Sequence, residues 1–597
     1  MRLKIIVYFI IFVALLLLAR VYFLSIKSNV YYQQLSQQNY IKEIALTPTR
    51  GTIKDRNGVP LAINKLGFNI SITPHLRSKR NREKLNSLID IIVVNFPQFD
   101  SRKLLKNYLK NDSAYKHDSV EVVEYIEYNE FFPKYTLFNN IDGFSINAVD
   151  KRHYPYGSIG AHIIGYTGKA SKLDVKKNPI SKYTKIIGKS GLEQFYNNKL
   201  QGNLGFKKVK VDALNKIVEV IDEHIPLENN DITSTIDIQL QEYIHNIFTD
   251  NGKKTKNIRS GAVVVLDIHN GEVIAAGSFP EYDSNIFVNG ISKDDWNKII
   301  NDFNHPFTNK ITSGLYPPGS VIKMGVALAF LRNGINDKFH VFCDGETQIG
   351  NRKFRCWKEK GHSTTNFRKA IRESCDDFFY KGSLKVGIDV ISDTLHEFGF
   401  GERTNIDQSN EFVGINPNKH WKRIKHKQSW YMGETANASI GQGFTLVTPM
   451  QVARYTGALA SNKLQRPHFL KDDSLIVSKD MNINKKNLNI LQKGMYDVAN
   501  HIKGTASRHI KTSIKVAAKT GTAQVVGIPQ SEKKRMKEHE LAYFKRSHAW
   551  LTTYAPYKKP QYVVTMLVEH GGHGGSAAGK IVGKIYDKLI ELNYIEK

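Results

Sequence analysis

At 597 residues, with 41% hydrophobic and 24% charged content, the chain has room for two or three domains with substantial cores, and no internal repeat or long low-complexity tract interrupts it. A formal net charge of +29 raises nucleic acid as a ligand, but Lys and Arg are scattered and no DNA- or RNA-binding module occurs, so that class is set aside. An anionic membrane surface or a carboxylate-rich substrate suits the charge better, over a lysine-rich background composition.

Ile5 to Leu18 is an unbroken apolar run behind Arg2 and Lys4, and Val21 to Ile26 extends it past Arg20. Its length fits a membrane-spanning helix, and the lack of a small-x-small cleavage site makes it a retained anchor with Arg20 reaching toward an interface. Charges flank both ends, so the positive-inside rule does not orient it, although the short tail leaves the bulk of the protein on one side. Residues 1–26 are therefore tail and anchor, and 27–234 form a second unit that begins with a polar linker from Ser36 to Tyr40. Arg50-Gly51-Thr52-Ile53-Lys54-Asp55-Arg56-Asn57-Gly58 carries a turn signal that predicts a hairpin. Residues 75–145 mix charge runs with short apolar segments and read as a mostly exposed head insertion. A glycine-punctuated segment runs from Arg152 through Gly165, and Gly188-Lys189-Ser190-Gly191-Leu192-Glu193 predicts a helix through Leu200.

A third unit, 235–597, begins near Thr235-Ile236-Asp237. Ala262 to Ile268, Asn270-Gly271 and Val273 to Ala276 read as strand, tight turn, strand. Near the other end, Ile514, Val516 and Ala518 alternate toward Lys519, Ala549 to Ala555 and Tyr562 to Val568 read as strands, and Ile581, Ile585, Leu589 and Leu592 recur at helical spacing. One sheet with strands from both ends of the unit, flanked by helices, is expected, in a mixed α/β arrangement.

The chemistry concentrates in Tyr316-Pro317-Pro318-Gly319-Ser320-Val321-Ile322-Lys323. Prolines and a glycine punctuate a turn, and V-I-K-M-G-V-A-L-A-F-L from Val321 to Leu331 is apolar on every face except for Lys323. Three residues place Ser320 and Lys323 on one helix face, and an ammonium in apolar surroundings is unfavourable unless it has partners or work. The same Ser-x-x-Lys pattern occurs in polar stretches at Ser113 and Ser531, where a solvated loop is the simpler reading. Ser374-Cys375-Asp376 and Lys519-Thr520-Gly521-Thr522 follow in order. Each is common alone, and Ser-x-Asp recurs at Ser292 and Ser478, but the ordered set is far more specific.

This set resembles the S-x-x-K, S-x-N and K-T-G motifs of penicillin-binding proteins. Arg50-Gly51 with Asp55-Arg56-Asn57-Gly58, and Gly188 with Ser190-Gly191-Leu192-Glu193, resemble the N-terminal signatures of the class B members, and Ile440-Gly441-Gln442-Gly443 with Thr448-Pro449 resembles a segment between the second and third motifs. Nothing resembles the glycosyltransferase domain of the bifunctional class A enzymes. The resemblance implies a transpeptidase domain with a five-stranded antiparallel-type sheet flanked by helices, after an α+β pedestal (dimerisation) domain and one transmembrane helix. It implies a peptidoglycan D,D-transpeptidase acting on stem peptides that end in D-alanyl-D-alanine, inhibited by β-lactams and free of any cofactor for the acyl transfer. Ser320 is then the nucleophile and Lys323 the base, with Lys519 helping to hold Lys323 neutral. Ser374 relays a proton to the leaving amine, backbone N–H groups of Ser320 and Thr522 form the oxyanion hole, and Thr520 and Gly521 line the substrate strand. Asp376 replaces the wider family's asparagine, and Ser-x-Asp is similar to the elongation subclass rather than the septal one.

The three cysteines all lie between the first and second motifs, with the spacing C-x12-C-x5-H-x12-C over Cys343, Cys356, His362 and Cys375. Three thiolates and an imidazole are a complete ligand set for a closed, structural zinc. A disulfide with one free thiol, or isolated buried cysteines, are the other readings, and His340 or Asp344 could replace a ligand. Alternation would turn Cys375 away from the cleft that Ser374 and Asp376 face, so a metal behind it would fix the second motif. The resemblance implies a zinc held through Asp, Asp, His and Cys, with cysteines in both Asp places here. His570 and His573 read as surface or glycine-loop residues.

The expected protein is thus a single-pass bacterial inner-membrane enzyme with its catalytic domain in the periplasm, partnered by a SEDS-family glycosyltransferase and the elongation complex. The competing readings are a septal class B transpeptidase and a non-catalytic β-lactam sensor or scaffold. A sensor would carry several membrane segments, and a dead scaffold would have lost Lys323 or the Lys519 motif.

Overall fold

Helix Arg2–Tyr22 leads the chain and continues in a wider turn at Phe23–Lys27; its large apolar side chains are exposed, and its length and composition suit a membrane span. In this computed structural model the described residues are 2–27, 40–115, 118–212, 217–226, 230–255, 260–288, 290–526 and 538–596. The expected linker from Ser36, apart from Tyr40, lies outside them, as do Lys116 of the Ser113 motif and the whole Ser531 motif.

After this helix, strands Ile41–Leu46, Gly205–Val211 and Ile217–His224 make an antiparallel sheet. The predicted hairpin follows. Ile53–Lys54 pairs with Pro60–Ile72 across a turn in which Asp55 Oδ1 accepts from the backbone N–H of Asn57 (2.8 Å) and Val59 (2.7 Å) and Gly58 takes φ 88°. Pro60–Ile72 also pairs with Val120–Glu127 and Phe144–His153.

The head differs from the exposed insertion expected. Leu85, Leu88, Ile89 and Ile92 recur at helical spacing among the charges of helix Arg82–Asn95, so they form one buried stripe. That stripe packs with Phe96, Tyr108, Phe131 and Phe138 into a hydrophobic core separate from the main one. The helix expected through Leu200 is also divided, into Gly191–Phe195 and Asn197–Gln201.

The N-terminal signatures converge. Glu193 is fully buried between Arg50 (Nη2–Oε2 2.6 Å) and Arg152 (Nε–Oε1 2.6 Å), with the Tyr154 hydroxyl at 3.2 Å. Burial pushes the Glu193 carboxyl up, but Arg152 and Arg50 outweigh it and hold it below the ordinary value. The hairpin turn meets the C-terminal unit through Arg56–Glu272 (3.2 Å) and Asn57–Asp237 (3.3 Å).

The C-terminal unit is built on five antiparallel strands, β1 (Gly261–Asp267), β2 (Val273–Phe279), β3 (Ala517–Ala523), β4 (His548–Ala555) and β5 (Tyr562–Val568), in the spatial order β2-β1-β5-β4-β3. Both ends of the unit supply strands, as expected, and 237 residues between β2 and β3 carry most of the helices. Nearly every strand residue is buried, because helices cover both faces. Adjacent residues of β4 point to opposite faces: Thr552 bonds Thr456 on helix Pro449–Ser461, and Thr553 bonds Tyr586 on helix Gly574–Glu591. Strand β3 is left at the sheet edge, where an extended peptide can be added beside it.

Candidate active site

Ser320 sits in a 3₁₀ turn, Gly319–Ile322, and the α-helix proper starts at Lys323 and runs to Arg332. Residues Lys323 to Phe330 are all buried, as the apolar run requires. The turn is pinned from several sides. Tyr316 exchanges backbone hydrogen bonds with Val447 (3.0 and 2.9 Å), the Trp550 indole donates to Pro317 O (3.0 Å), and Gly319 N donates to Gly441 O (2.9 Å). Gly441 has φ 74°, and a Cβ there would lie 2.1 Å from Gly319 O, so only glycine permits this approach. Next to it, Gln442 Nε2 donates to Thr522 O (3.3 Å). The Ile440–Gly443 segment, found in the sequence without a role, therefore backs the Ser320 turn and touches the third motif.

The second motif is a turn rather than a strand. Ser374 adopts φ 55°, Cys375 precedes helix Asp376–Val386, and this geometry sends Cys375 one way and the Ser374 and Asp376 side chains the other. A left-handed serine is unfavourable by about 1 kcal/mol or more, so tertiary contacts hold it there.

Four side chains from the three motifs meet. Lys323 Nζ lies 2.7 Å from Asp376 Oδ1, 3.0 Å from Ser374 O and 3.4 Å from Ser374 Oγ, and sits 5.1 Å from the Phe379 ring centroid. Lys519 Nζ, on the edge strand β3, donates to Ser374 Oγ (2.9 Å) and Thr520 O (2.8 Å). Asp376 Oδ2 accepts from Trp357 N (2.9 Å). Burial first, then the nearby Lys323 charge, push the Lys519 pKa well below the ordinary 10.5, against an upward pull from Asp376. Among the described residues Ser320 Oγ makes no hydrogen bond. Gly521 packs against the Ser320 turn, since a Cβ would stand 3.0 Å from Pro318 O, and the Thr520 hydroxyl bonds that of Thr505 (2.7 Å). Thr505 and the Trp357 amide carry no sequence signal, because one is an isolated threonine and the other contributes only backbone.

Cys343, Cys356, His362 and Cys375 are brought together as well, all four buried, with ligand atoms within 4.8 Å of one another. His362 Nδ1 is 3.7 Å from Cys343 Sγ and 3.4 Å from Cys356 Sγ, and no disulfide forms. Bonds of about 2.3 Å to sulfur and 2.0 Å to nitrogen would set tetrahedral zinc ligands about 3.5–3.8 Å apart, so the donor set fits zinc and the two His362–sulfur distances lie close to that spacing. His340 is exposed and outside this cluster, as is Asp344. Cluster and cleft share a wall: Asp376 N donates to Cys356 Sγ (3.4 Å), and Trp357, next to Cys356, holds Asp376.

Comparison with known proteins shows the family. Residues 261–590 match the penicillin binding protein transpeptidase domain, and residues 45–234 match the penicillin-binding protein dimerisation domain. The peptidoglycan D,D-transpeptidase MrdA of Salmonella typhimurium (strain SL1344) is 33% identical over 96% of this chain and 93% of its own length; that of Escherichia coli (strain K12) is also 33% identical, over 96% and 91%. The solved complex of penicillin-binding protein PBP2 and MreC from Helicobacter pylori superposes with TM-score 0.84 at 41% identity, covering 93% of this chain and 99% of that one. With its motifs, fold and near-full-length relatives in agreement, the chain belongs to the class B penicillin-binding proteins and is of the PBP2 type.

Proposed function

We propose that the three motifs serve one acyl transfer, that of a serine-type peptidoglycan D,D-transpeptidase of the elongation type. What carries this reading is the direct contact of Lys323, Ser374, Asp376 and Lys519 beside the Ser320 turn. Ser320 Oγ attacks the penultimate D-alanine carbonyl; the new O–C bond forms as the C–N bond to the terminal D-alanine breaks. An amine from a second stem peptide then attacks the ester, forming the cross-link and restoring the serine. Developing negative charge on the carbonyl oxygen meets the backbone N–H groups of Ser320 and Thr522.

The protons need a path. Lys519, held toward its neutral form, is 2.9 Å from Ser374 Oγ, which lies 3.4 Å from Lys323 Nζ. A proton passed from Lys323 through Ser374 to Lys519 leaves Lys323 as a free amine able to take the Ser320 proton, and the reverse passage supplies the leaving amine. Asp376 holds Lys323 in the resting site, and Thr520, Gly521 and Thr522 on the unpaired edge of β3 receive the substrate backbone. The test is incubation of the purified full-length chain with uncross-linked, pentapeptide-bearing glycan strands. Released D-alanine and cross-linked dimers are expected, both absent in Ser320→Ala; cross-linking by that variant would refute the assignment.

The Cys343, Cys356, His362 and Cys375 set is proposed to hold a zinc that supplies no chemistry to the reaction and braces the second motif. Purified, unchelated protein should contain about one zinc per chain. Stripping it should lower the thermal unfolding midpoint, and metal-free protein of unchanged midpoint would return the cluster to buried free thiols.

The Helicobacter pylori relative was solved in complex with MreC. We extend that partnership to this chain, together with the SEDS-family glycosyltransferase that the resemblance implies and a periplasmic catalytic domain tethered by helix Arg2–Tyr22. The Ser-x-Asp motif, with relatives named MrdA and a solved structure named PBP2, supports this over a septal role, and the retention of both Lys323 and Lys519 favours catalysis over a sensor or scaffold.

A further inference from the structure

Two basic tracts are held against one helix, Met432–Ser439, which leads into the Gly441 that contacts the Ser320 turn. Five of the ten residues 351–360 are Lys or Arg against one Glu, and five of the nine residues 419–427 are Lys or Arg with no acid, several times the share in the whole chain, 85 of 597. Each touches that helix: Phe354 of the first tract packs on a small apolar cluster of Ile349, Tyr380 and Ala436, and Lys422 of the second pairs with Glu434. Phe354, between Lys353 and Arg355, packs on Tyr380 (ring centroids 5.7 Å) and against Gly433, where a Cβ would come within 2.9 Å of its ring. Helix Lys419–His426 is fastened there by the buried Lys422, which donates to Ser429 O (2.8 Å), pairs with Glu434 and lies 4.6 Å from the Tyr431 ring centroid.

The rim is continuous with the reacting groups. Helix Met432–Ser439 runs directly into Gly441, which grips Gly319, and Trp357 of the other tract grips Asp376. Ion pairs engage Lys353, Lys419 and Lys422. Arg352, Lys358, Lys360, Arg423, Lys425 and Lys427 are exposed and have no ion pair among the described residues. So many unneutralised cations together repel one another, and a ligand with repeated negative charges relieves that repulsion. Trp357 and Tyr431, 47% and 63% exposed, add flat apolar faces suited to sugar rings.

We propose that this rim binds the carboxylate-bearing stem peptides of a glycan strand and so positions the strand for cross-linking. The inference rests on the transpeptidase reading and adds a substrate subsite to it. A lipid bilayer offers anionic groups to the lysines but no rings to Trp357 and Tyr431, so the glycan peptide is the better match.

The test uses the full chain in detergent, with soluble uncross-linked glycan strands, the same strands with their carboxylates converted to amides, and phosphatidylglycerol vesicles. Native strands should bind at least about tenfold more tightly than amidated ones at low salt, with the gap closing as ionic strength rises. The triple substitution R423E/K425E/K427E should weaken native-strand binding by at least about tenfold and leave amidated-strand binding within about twofold. R352E/K358E on the other tract should act in the same direction, and unfolding midpoints identify any variant that misfolds. Equal binding of native and amidated strands, or wild-type affinity in both folded variants, overturns the proposal, as does loss of vesicle binding alone. Penicillin labelling of the wild type separates the two levels: labelling without strand discrimination removes the rim subsite only, and no labelling removes the transpeptidase reading beneath it.

Discussion

Lys323→Ala should acylate with penicillin about 10³-fold more slowly than the wild type, the loss expected when a positioned base is removed. The amine is buried and paired with Asp376, and Lys519, the other amine of the site, is engaged by Ser374 Oγ and Thr520 O. Stopped-flow acylation with a chromogenic β-lactam measures the rate, and a variant within tenfold of wild type would show that Lys323 is structural only. Asp376→Asn gives the companion result. The Asp376 carboxylate pulls the Lys519 pKa upward, so the amide lowers it further and Lys519 is neutral at a lower pH. If the rate requires neutral Lys519, the ascending limb of the pH profile moves to lower pH in this variant. A shift to higher pH contradicts the proposed relay.

Glu193→Gln should destabilise the pedestal by about 3–5 kcal/mol, because it strips two buried guanidinium groups of their shared carboxylate. Arg50 and Arg152 both lie within 2.6 Å of Glu193, and Asn197 Oδ1 and Asn64 Oδ1 offer only neutral acceptors at 3.1 and 3.2 Å. The folded-state pKa of Glu193 is depressed. Its contribution is therefore complete above the unfolded value near 4.5 and lost as pH falls through the folded value, and the glutamine variant should lack that acid-dependent part. Urea unfolding at neutral pH and in acid measures both, and a loss under about 1 kcal/mol would mean that the arginines find other partners.

The sheet was legible because its strands are buried on both faces and read as β-branched runs such as Val263-Val264-Val265, bounded by turns. The Ser320 turn announced itself through one lysine in an apolar helix, and the Cys/His cluster through cysteines confined to one region. The head core was missed because its apolar residues are spread over helices and a strand between charge runs, and become a core only when Phe96, Phe131 and Phe138 pack together. The supports of the site were also hidden. Gly441 matters through a 2.1 Å approach to another backbone, Trp357 through its amide, and Ser374 through φ 55°, none of which leaves a residue-type pattern.

The central claim is that Ser320 becomes the acyl-enzyme. Intact-mass measurement of the full-length chain after exposure to a labelled penicillin tests it most directly, followed by peptide mapping of the adduct. One adduct per chain is expected, mapped to the peptide holding Ser320 and absent from Ser320→Ala. An adduct on another residue, or one that persists in that variant, would contradict it.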